Sequence, residues 1–118
     1  MDQQRKGPSS ANAVISDGAV RLLHEYTGRG PTRSRTTINH DSVMVMVGDT
    51  LTRGERRLVE SGKAEQVLEL RHAYQMVMRH DLIELVERAT ERKVIAFMSQ
   101  NHIDPDLAVE VFALQPVG

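Results

Sequence analysis

Three arginines that follow a predicted helix are the residues whose types and spacing best suit ligand binding. Arg33 and Arg35 are two positions apart in a segment rich in β-branched residues, so both side chains would point to one face of a strand. Arg29 precedes them in a loop, between Gly28 and Gly30. Guanidinium groups arranged in this way can hold a carboxylate, a phosphate or bicarbonate. The plainer interpretation, which we favour, is a solvated edge strand whose charges discourage pairing with another sheet.

A second group of polar residues lies near the C-terminus, starting at Asn101. His102, Asp104 and Asp106 alternate there, and this spacing matches neither HExxH nor His-x-His. A proline between two aspartates, here Pro105, is typical of a turn in which carboxylates accept hydrogen bonds from nearby amides. We therefore predict that this segment forms a metal-free turn between two strands, and that the chain has no metal site.

The residue types do not combine into a catalytic centre. The chain has no cysteine, which excludes thiolate nucleophiles and thiolate metal sites. The GxSxG, GxGxxG and Walker-type motifs are absent. A hydrolase that uses His102 and Asp104 is an alternative, but the sequence supplies no nucleophile and orienting group to complete it. We predict a protein without enzymatic activity and without a cofactor.

Composition and charge limit the kinds of partner. The chain has 118 residues, a net charge of −1 and 3% aromatic residues, so it lacks the basic and stacking surfaces that nucleic acids require. It has neither a signal-peptide core nor an apolar run of about 20 residues. We expect a cytoplasmic protein without membrane insertion, attached to a membrane only through a partner. One domain is predicted over residues 10–115, after a flexible N-terminus at 1–9 and before a tail at 116–118.

Hydrophobic periodicity, capping signals and glycines predict the elements that position these residues. We predict helix 10–27, strands 32–39 and 42–47, a capped helix from Thr52 to about 61, helix 63–91, and strands 94–99 and 108–114. The order α-β-β-α-α-β-β indicates an α+β two-layer sandwich, in which a four-stranded antiparallel sheet carries the helices mainly on one face. The long helix is expected to bury an apolar stripe of Val67, Leu70, Tyr74, Val77, Met78, Leu82, Leu85 and Ala89.

Two of the predicted strands carry unbroken apolar runs, at residues 43–47 and 94–98. A sheet with one solvated face would alternate apolar and polar residues instead. Both faces of this sheet are therefore apolar at these strands, and the helices of so short a chain readily cover only one. The alternative is that the first helix crosses the second face. We predict a homodimer, or pairing with another chain through the sheet.

Three strings of the sequence resemble the MpsC-like family of short bacterial proteins, named for a sodium-translocating, membrane-potential-generating system. They are Val20 to Ile38, Asp49 to Gly62 and Val94 to Leu114, and the resemblance covers about residues 10–115. Its most specific parts are Gly-Arg-Gly-Pro-Thr-Arg from Gly28 and Asn-His-Ile-Asp-Pro-Asp from Asn101. The candidate residues that the resemblance implies are Gly28, Arg29, Gly30, Pro31, Arg33 and Arg35, together with Asn101, His102, Asp104, Pro105 and Asp106.

The resemblance also implies a function. It suggests a small, non-catalytic accessory or interaction subunit of a cation or inorganic-carbon transport system, with a membrane transport protein as its partner. The alternative that the residues themselves suggest is a regulatory module that binds an anion or a small molecule through Arg29, Arg33 and Arg35.

Overall fold

The computed structural model describes the backbone of residues 8–117 and the side chains of residues 11–117. Its elements follow the predicted order: α1 Pro8–Thr27, β1 Arg33–Asn39, β2 Ser42–Gly48, α2 Arg53–Glu60, α3 Ala64–Thr90, β3 Val94–His102 and β4 Leu107–Leu114. The predicted α+β class is confirmed. Most of the predicted flexible segment 1–9 lies outside the described residues, and α1 begins two positions earlier than predicted, at Pro8.

The four strands form one antiparallel sheet in the order β1-β2-β4-β3. The two predicted hairpins supply its halves, and β2 and β4 join them at the centre, where Met44 lies opposite Val111. The strands β1 and β3 are the two edges. This order brings the start of β1, the end of β2 and the turn before β4 to the same end of the sheet.

The helices cover one face of the sheet. Successive side chains of β2 alternate, so Val43 and Val45 are buried while Met44 and Met46 are exposed. The buried side contacts Ile15 of α1 and the other apolar residues of the core. We call the opposite side, which carries Met44 and Met46, the open face. The predicted placement of the helices on one face is confirmed.

Local signals in the sequence explain where α2 begins and where α1 ends. The backbone N–H of Glu55 donates to the Thr52 hydroxyl at 3.1 Å, and the Thr52 N–H donates to Glu55 Oε1 at 2.8 Å, which forms the predicted capping box. Gly28 ends α1 with a φ of 82°, in the left-handed region that favours glycine.

Gly18 makes room on α1 for a side chain of α3. A Cβ at this position would lie 2.6 Å from Leu85 Cδ1, so a larger residue would require the Leu85 side chain to move. Glycine in a helix interior costs stability, and here it allows Leu85 to lie against the α1 backbone.

The apolar stripe predicted for α3 is partly wrong. The buried residues of α3 are Val67, Arg71, Gln75, Met78, Leu82, Leu85 and Val86. Leu70 and Val77 are exposed, the latter at 65% of its surface. Each is one residue from a buried position, a rotation of about 100° around the helix. The first half of α3 thus turns polar side chains inward, because α2 and the sheet supply polar partners for them.

Candidate functional site

Four charged side chains meet where β1 begins and β2 ends, and we call Arg29, Asp49, Arg56 and Asp106 the loop cluster. Arg29 Nη2 lies 2.5 Å from Asp49 Oδ2, and Arg56 Nη2 lies 2.5 Å from Asp49 Oδ1. Arg56 also reaches Asp106 Oδ2 at 3.4 Å. Arg29 belongs to the string that starts at Gly28, and Asp106 belongs to the string that starts at Asn101. Asp49 and Arg56, from the string Asp49 to Gly62, join the two.

Asp49 is the centre of the loop cluster. The hydrogen bonds from Arg29 and from the Thr32 hydroxyl, the latter at 2.9 Å, hold the pKa of Asp49 below its usual range. Its backbone has a φ of 62°, and its N–H donates to the carbonyl of Asp106 at 3.2 Å. Asp49 therefore ties the start of β1 to the turn before β4.

The carboxylate of Asp106 holds the loop between β2 and α2. It accepts hydrogen bonds from the Thr50 hydroxyl at 2.8 Å and from the Leu51 N–H at 3.0 Å. At the end of β3, His102 Nδ1 lies 2.8 Å from the carbonyl oxygen of Pro105 in this turn, and Asp104 of the turn is exposed. The contacts of Asp106 tie together parts of the protein that are distant in the chain.

The predicted turn begins too early in the sequence. Asn101 and His102 belong to β3, where they pair with Ala108 and Leu107 of β4, and the turn spans residues 103–106. The extra pairs form because Asn101 points to the helix side and finds a polar partner there, Gln75. His102, on the next residue, points to the open face.

The three arginines of the predicted cluster do not converge. Arg29 is turned toward Asp49, with Nε donating to the Asp49 carbonyl at 3.1 Å. Arg33 and Arg35 share the open face, as the period of a strand requires. The guanidinium of Arg33 lies over Gly48, where a Cβ would be 2.9 Å from its Nε. Gly28 and Gly30 shape the loop before β1.

Arg33 and Arg35 border a shallow depression on the open face, which has a volume of ≈ 600 Å³. Met44 and Met46 form its apolar floor. Within residues 8–117, neither arginine forms an ion pair. The depression thus combines two cationic groups with an apolar surface, which suits an anion or an amphipathic ligand.

An ion pair lies buried between α2 and α3. Arg71 is 2% exposed, and its Nη1 donates to Glu55 Oε1 at 3.2 Å and to the Thr50 carbonyl at 3.3 Å. The same Glu55 oxygen accepts the capping hydrogen bond from Thr52. Arg71 therefore links the loop after β2, the start of α2 and the middle of α3.

A buried carboxyl group, Glu110, lies on β4 under the first half of α3. It is 1% exposed, and Gln75 Nε2 donates to its Oε2 at 3.3 Å, while no donor among residues 11–117 lies within hydrogen-bond geometry of its Oε1. Burial raises the pKa of Glu110 to about 7, although the hydroxyl of Ser99 on the paired strand, the Gln75 hydrogen bond and the charge of Arg71 oppose the change. Glu110 can therefore exchange a proton near neutral pH.

Sequence reasoning missed this interior polar group, which we call the buried polar network: Glu55, Arg71, Gln75, Asn101 and Glu110. Asn101 Nδ2 donates to Gln75 Oε1 at 2.9 Å, and Gln75 Nε2 donates to Asn101 Oδ1 at 3.1 Å. Two signals pointed to it. Arg71 and Gln75 are four residues apart on a helix, and Glu110 interrupts an otherwise apolar strand.

One group on the outer surface of α3 has the residue types of a metal site. The ligand atoms of His80, Asp81 and Glu84 lie within 4.8 Å of one another. Imidazole and carboxylate ligands suit zinc and related divalent ions. Asp81 Oδ2 already accepts a hydrogen bond from the Tyr26 hydroxyl at 2.8 Å, which raises the pKa of Tyr26. All three residues belong to α3, and the Tyr26 contact links the group to α1.

Comparison with protein families decides the identity of the chain. The model of the family described as "Na+-translocating membrane potential-generating system (MpsC)" matches residues 6–116. The chain belongs to the MpsC family. The match spans every helix and strand of the fold, and it confirms the resemblance found in the sequence. Comparisons of this MpsC-family chain with curated proteins and with solved structures found no match.

The family description concerns ion movement across a membrane. Among the helices between residues 8 and 117, none combines the length and the apolar character needed to cross a bilayer. The longest, α3, exposes charged residues such as Glu65 and Arg79 together with apolar ones such as Met76 and Val77.

Proposed function

We propose that this MpsC-family chain is a non-catalytic, cytoplasmic accessory subunit that binds a membrane transport protein of a sodium-translocating, membrane-potential-generating system. Membership of the MpsC family carries the proposal. An ion-translocating system needs a membrane-spanning path, and no helix within residues 8–117 could provide one. The path would then belong to the partner.

The contacts of the candidate residues support a role in interaction. The side chains of the loop cluster pair with one another, so their charges serve to connect β1, α2 and the turn before β4. Their contacts join three segments that are distant in the chain at one end of the sheet, which supports a structural role for these residues.

A capture experiment in native membranes tests the proposal. Tagged wild-type chain should recover an integral membrane protein in near-stoichiometric amount, and the same pair should co-elute after coexpression. Val77→Lys and Val14→Lys alter exposed surfaces of α3 and α1, outside the open face, and a loss of capture with one of them would locate the docking surface. Recovery of the chain in the soluble fraction alone, with no membrane protein, would contradict the proposal.

A functional assay tests the link to membrane potential. Membrane vesicles from cells that lack the gene should show a smaller sodium-dependent potential than wild-type vesicles, measured with a voltage-sensitive dye. Purified chain added to the cytoplasmic side should restore it. An equal potential in both kinds of vesicle would exclude a role in the system.

The second candidate function is an anion-binding regulatory module, and the depression beside Arg33 and Arg35 favours it. A ligand present at 100 times its dissociation constant stabilises a fold by about 2.7 kcal/mol. Millimolar phosphate or bicarbonate should therefore raise the melting temperature by several degrees, and Arg35→Ala should reduce this shift. Arg53→Ala, which removes an exposed arginine of α2, is the matched control. No shift in the wild type would exclude this function for these anions.

A further inference from the structure

The open face of the sheet is apolar at its centre and carries no helix. Met44 and Met46 of β2 stand beside Val109 and Val111 of β4, and the adjoining Met98 of β3 is 53% exposed. The helices lie on the other side, against Val43 and Val45. The alternative that α1 crosses this face is therefore wrong.

Within residues 8–117, no helix or strand lies over this surface. Residues 1–7 and 118 lie outside the described part, and Met1 is the single large apolar residue among them. A second molecule could supply the apolar contacts that a cover of the open face would make.

The distribution of charge on the open face matches that of a protein interface. Among the described residues, its centre has no charged side chain. Its edge strands are polar at one end, with Arg33 and Arg35 on β1 and with Gln100 and His102 on β3, while Met98 makes the middle of β3 apolar. Interface cores are depleted in charge and enriched in methionine, while their rims are polar.

The size of the open face also suits packing against a second sheet. Four strands about 4.8 Å apart, each about seven residues long, span roughly 19 Å by 24 Å before the side chains are counted. Sheets of this size pack face to face at about 10 Å in β-sandwiches. Monomers rarely expose an apolar surface of several hundred Å², and standard interfaces bury about 800 Å² on each partner.

We propose that the open face packs against the open face of a second copy of this chain, about a two-fold axis that runs along the strands. Such an axis places β1 of one copy over β3 of the other. Arg33 and Arg35 of one copy then lie over Gln100 and His102 of the second copy. The arginines of the two copies are therefore kept apart. Met44 and Val111, next to the axis, form the centre of the interface. This proposal is independent of the transport partner.

The mass in solution is the first measurement. Multi-angle light scattering at micromolar concentration should give twice the chain mass of 13.2 kDa. Met98→Lys or Met46→Lys should return the mass to that of a single chain, because each places a charge inside the interface. Val77→Lys, on the exposed side of α3, should leave the dimer intact. A wild-type monomer, or a dimer that only Val77→Lys dissociates, would overturn the proposal.

A crosslinking measurement needs no disruptive change. The chain has no cysteine, so Met44→Cys introduces a single thiol close to the proposed axis. A short bismaleimide should join two such chains efficiently, and Val77→Cys should give little product. Equal yields for both variants would contradict the face-to-face arrangement.

Vesicle sedimentation tests a different cover for the open face. A wild-type protein that is a monomer and sediments with anionic phospholipid vesicles would overturn the dimer and assign the open face to a lipid surface.

Charged substitutions on the buried side of the same strands should behave differently. Val45 is fully buried against the helices, and the ring of Phe97 lies 5.2 Å from that of Phe112. Val45→Lys or Phe97→Lys should therefore unfold the chain, whereas Met46→Lys should yield a folded monomer with an unchanged far-ultraviolet circular dichroism spectrum. An unfolded Met46→Lys leaves the Met44→Cys crosslink as the deciding measurement.

Discussion

Replacing Arg71 with methionine should destabilise the fold by about 3–5 kcal/mol, because it leaves a buried carboxylate without its partner. Arg71 and Glu55 are 2% and 3% exposed, and their side chains are joined at 3.2 Å. Methionine fills much of the same volume, so the loss reflects the charge more than the packing. Denaturant unfolding at fixed protein concentration measures the change.

A double-mutant cycle separates the ion pair from the other contacts of Arg71. Glu55→Gln removes the negative charge and keeps a side chain that can complete the capping box with Thr52. The double variant should then be more stable than the sum of the two single changes predicts, by at least about 1 kcal/mol. Additive losses would show that the pair contributes little and that the Thr50 contact dominates.

The stability of the protein should depend on the protonation of Glu110. Its pKa is about 7 in the folded state, against 4.5 for an unburied glutamate. The folded state therefore holds the proton more tightly than the unfolded state does. The contribution of Glu110 to stability is complete below about pH 4.5 and is lost as the pH rises through 7, by about 3 kcal/mol in total.

The Glu110→Gln variant tests this dependence, since glutamine keeps the shape and cannot ionise. Relative to wild type, the variant should gain about 2–3 kcal/mol between about pH 5 and pH 8, seen as a melting temperature that falls less with pH. Glu60→Gln changes an exposed carboxyl group of α2 and should follow the wild-type profile. Parallel profiles for wild type and Glu110→Gln would show that Glu110 does not titrate in this range.

Features that depend on contacts between near neighbours in the chain were predicted correctly from the sequence. The capping box at Thr52 and Glu55 and the glycine at Gly28 depend on contacts between near neighbours, so they are the same in a helix of any fold. The two-residue period of a strand likewise predicted that Arg33 and Arg35 share a face.

Contacts between distant residues were not predictable in this way. Hydrophobicity placed Leu70 and Val77 in the core, but the inward face of α3 is set by Glu55 and Glu110, which lie far away in the chain. The grouping of Arg29 with Arg33 and Arg35 failed for the same reason, since Asp49 lies twenty residues from Arg29 and pairs with it. Local periodicity contains no information about such partners.

The sequence by itself determined the family, the order and type of the elements, and the presence of two apolar faces on one sheet. These follow from periodicity, capping and motif strings, which are properties of short segments. The tertiary structure decided which face stays open, that Arg29 and Asp106 belong to one ionic cluster, and that a carboxyl group is buried on β4. Each of these depends on burial and charge that arise only when segments distant in the chain are packed together, because the energy of a charge is set by its three-dimensional surroundings.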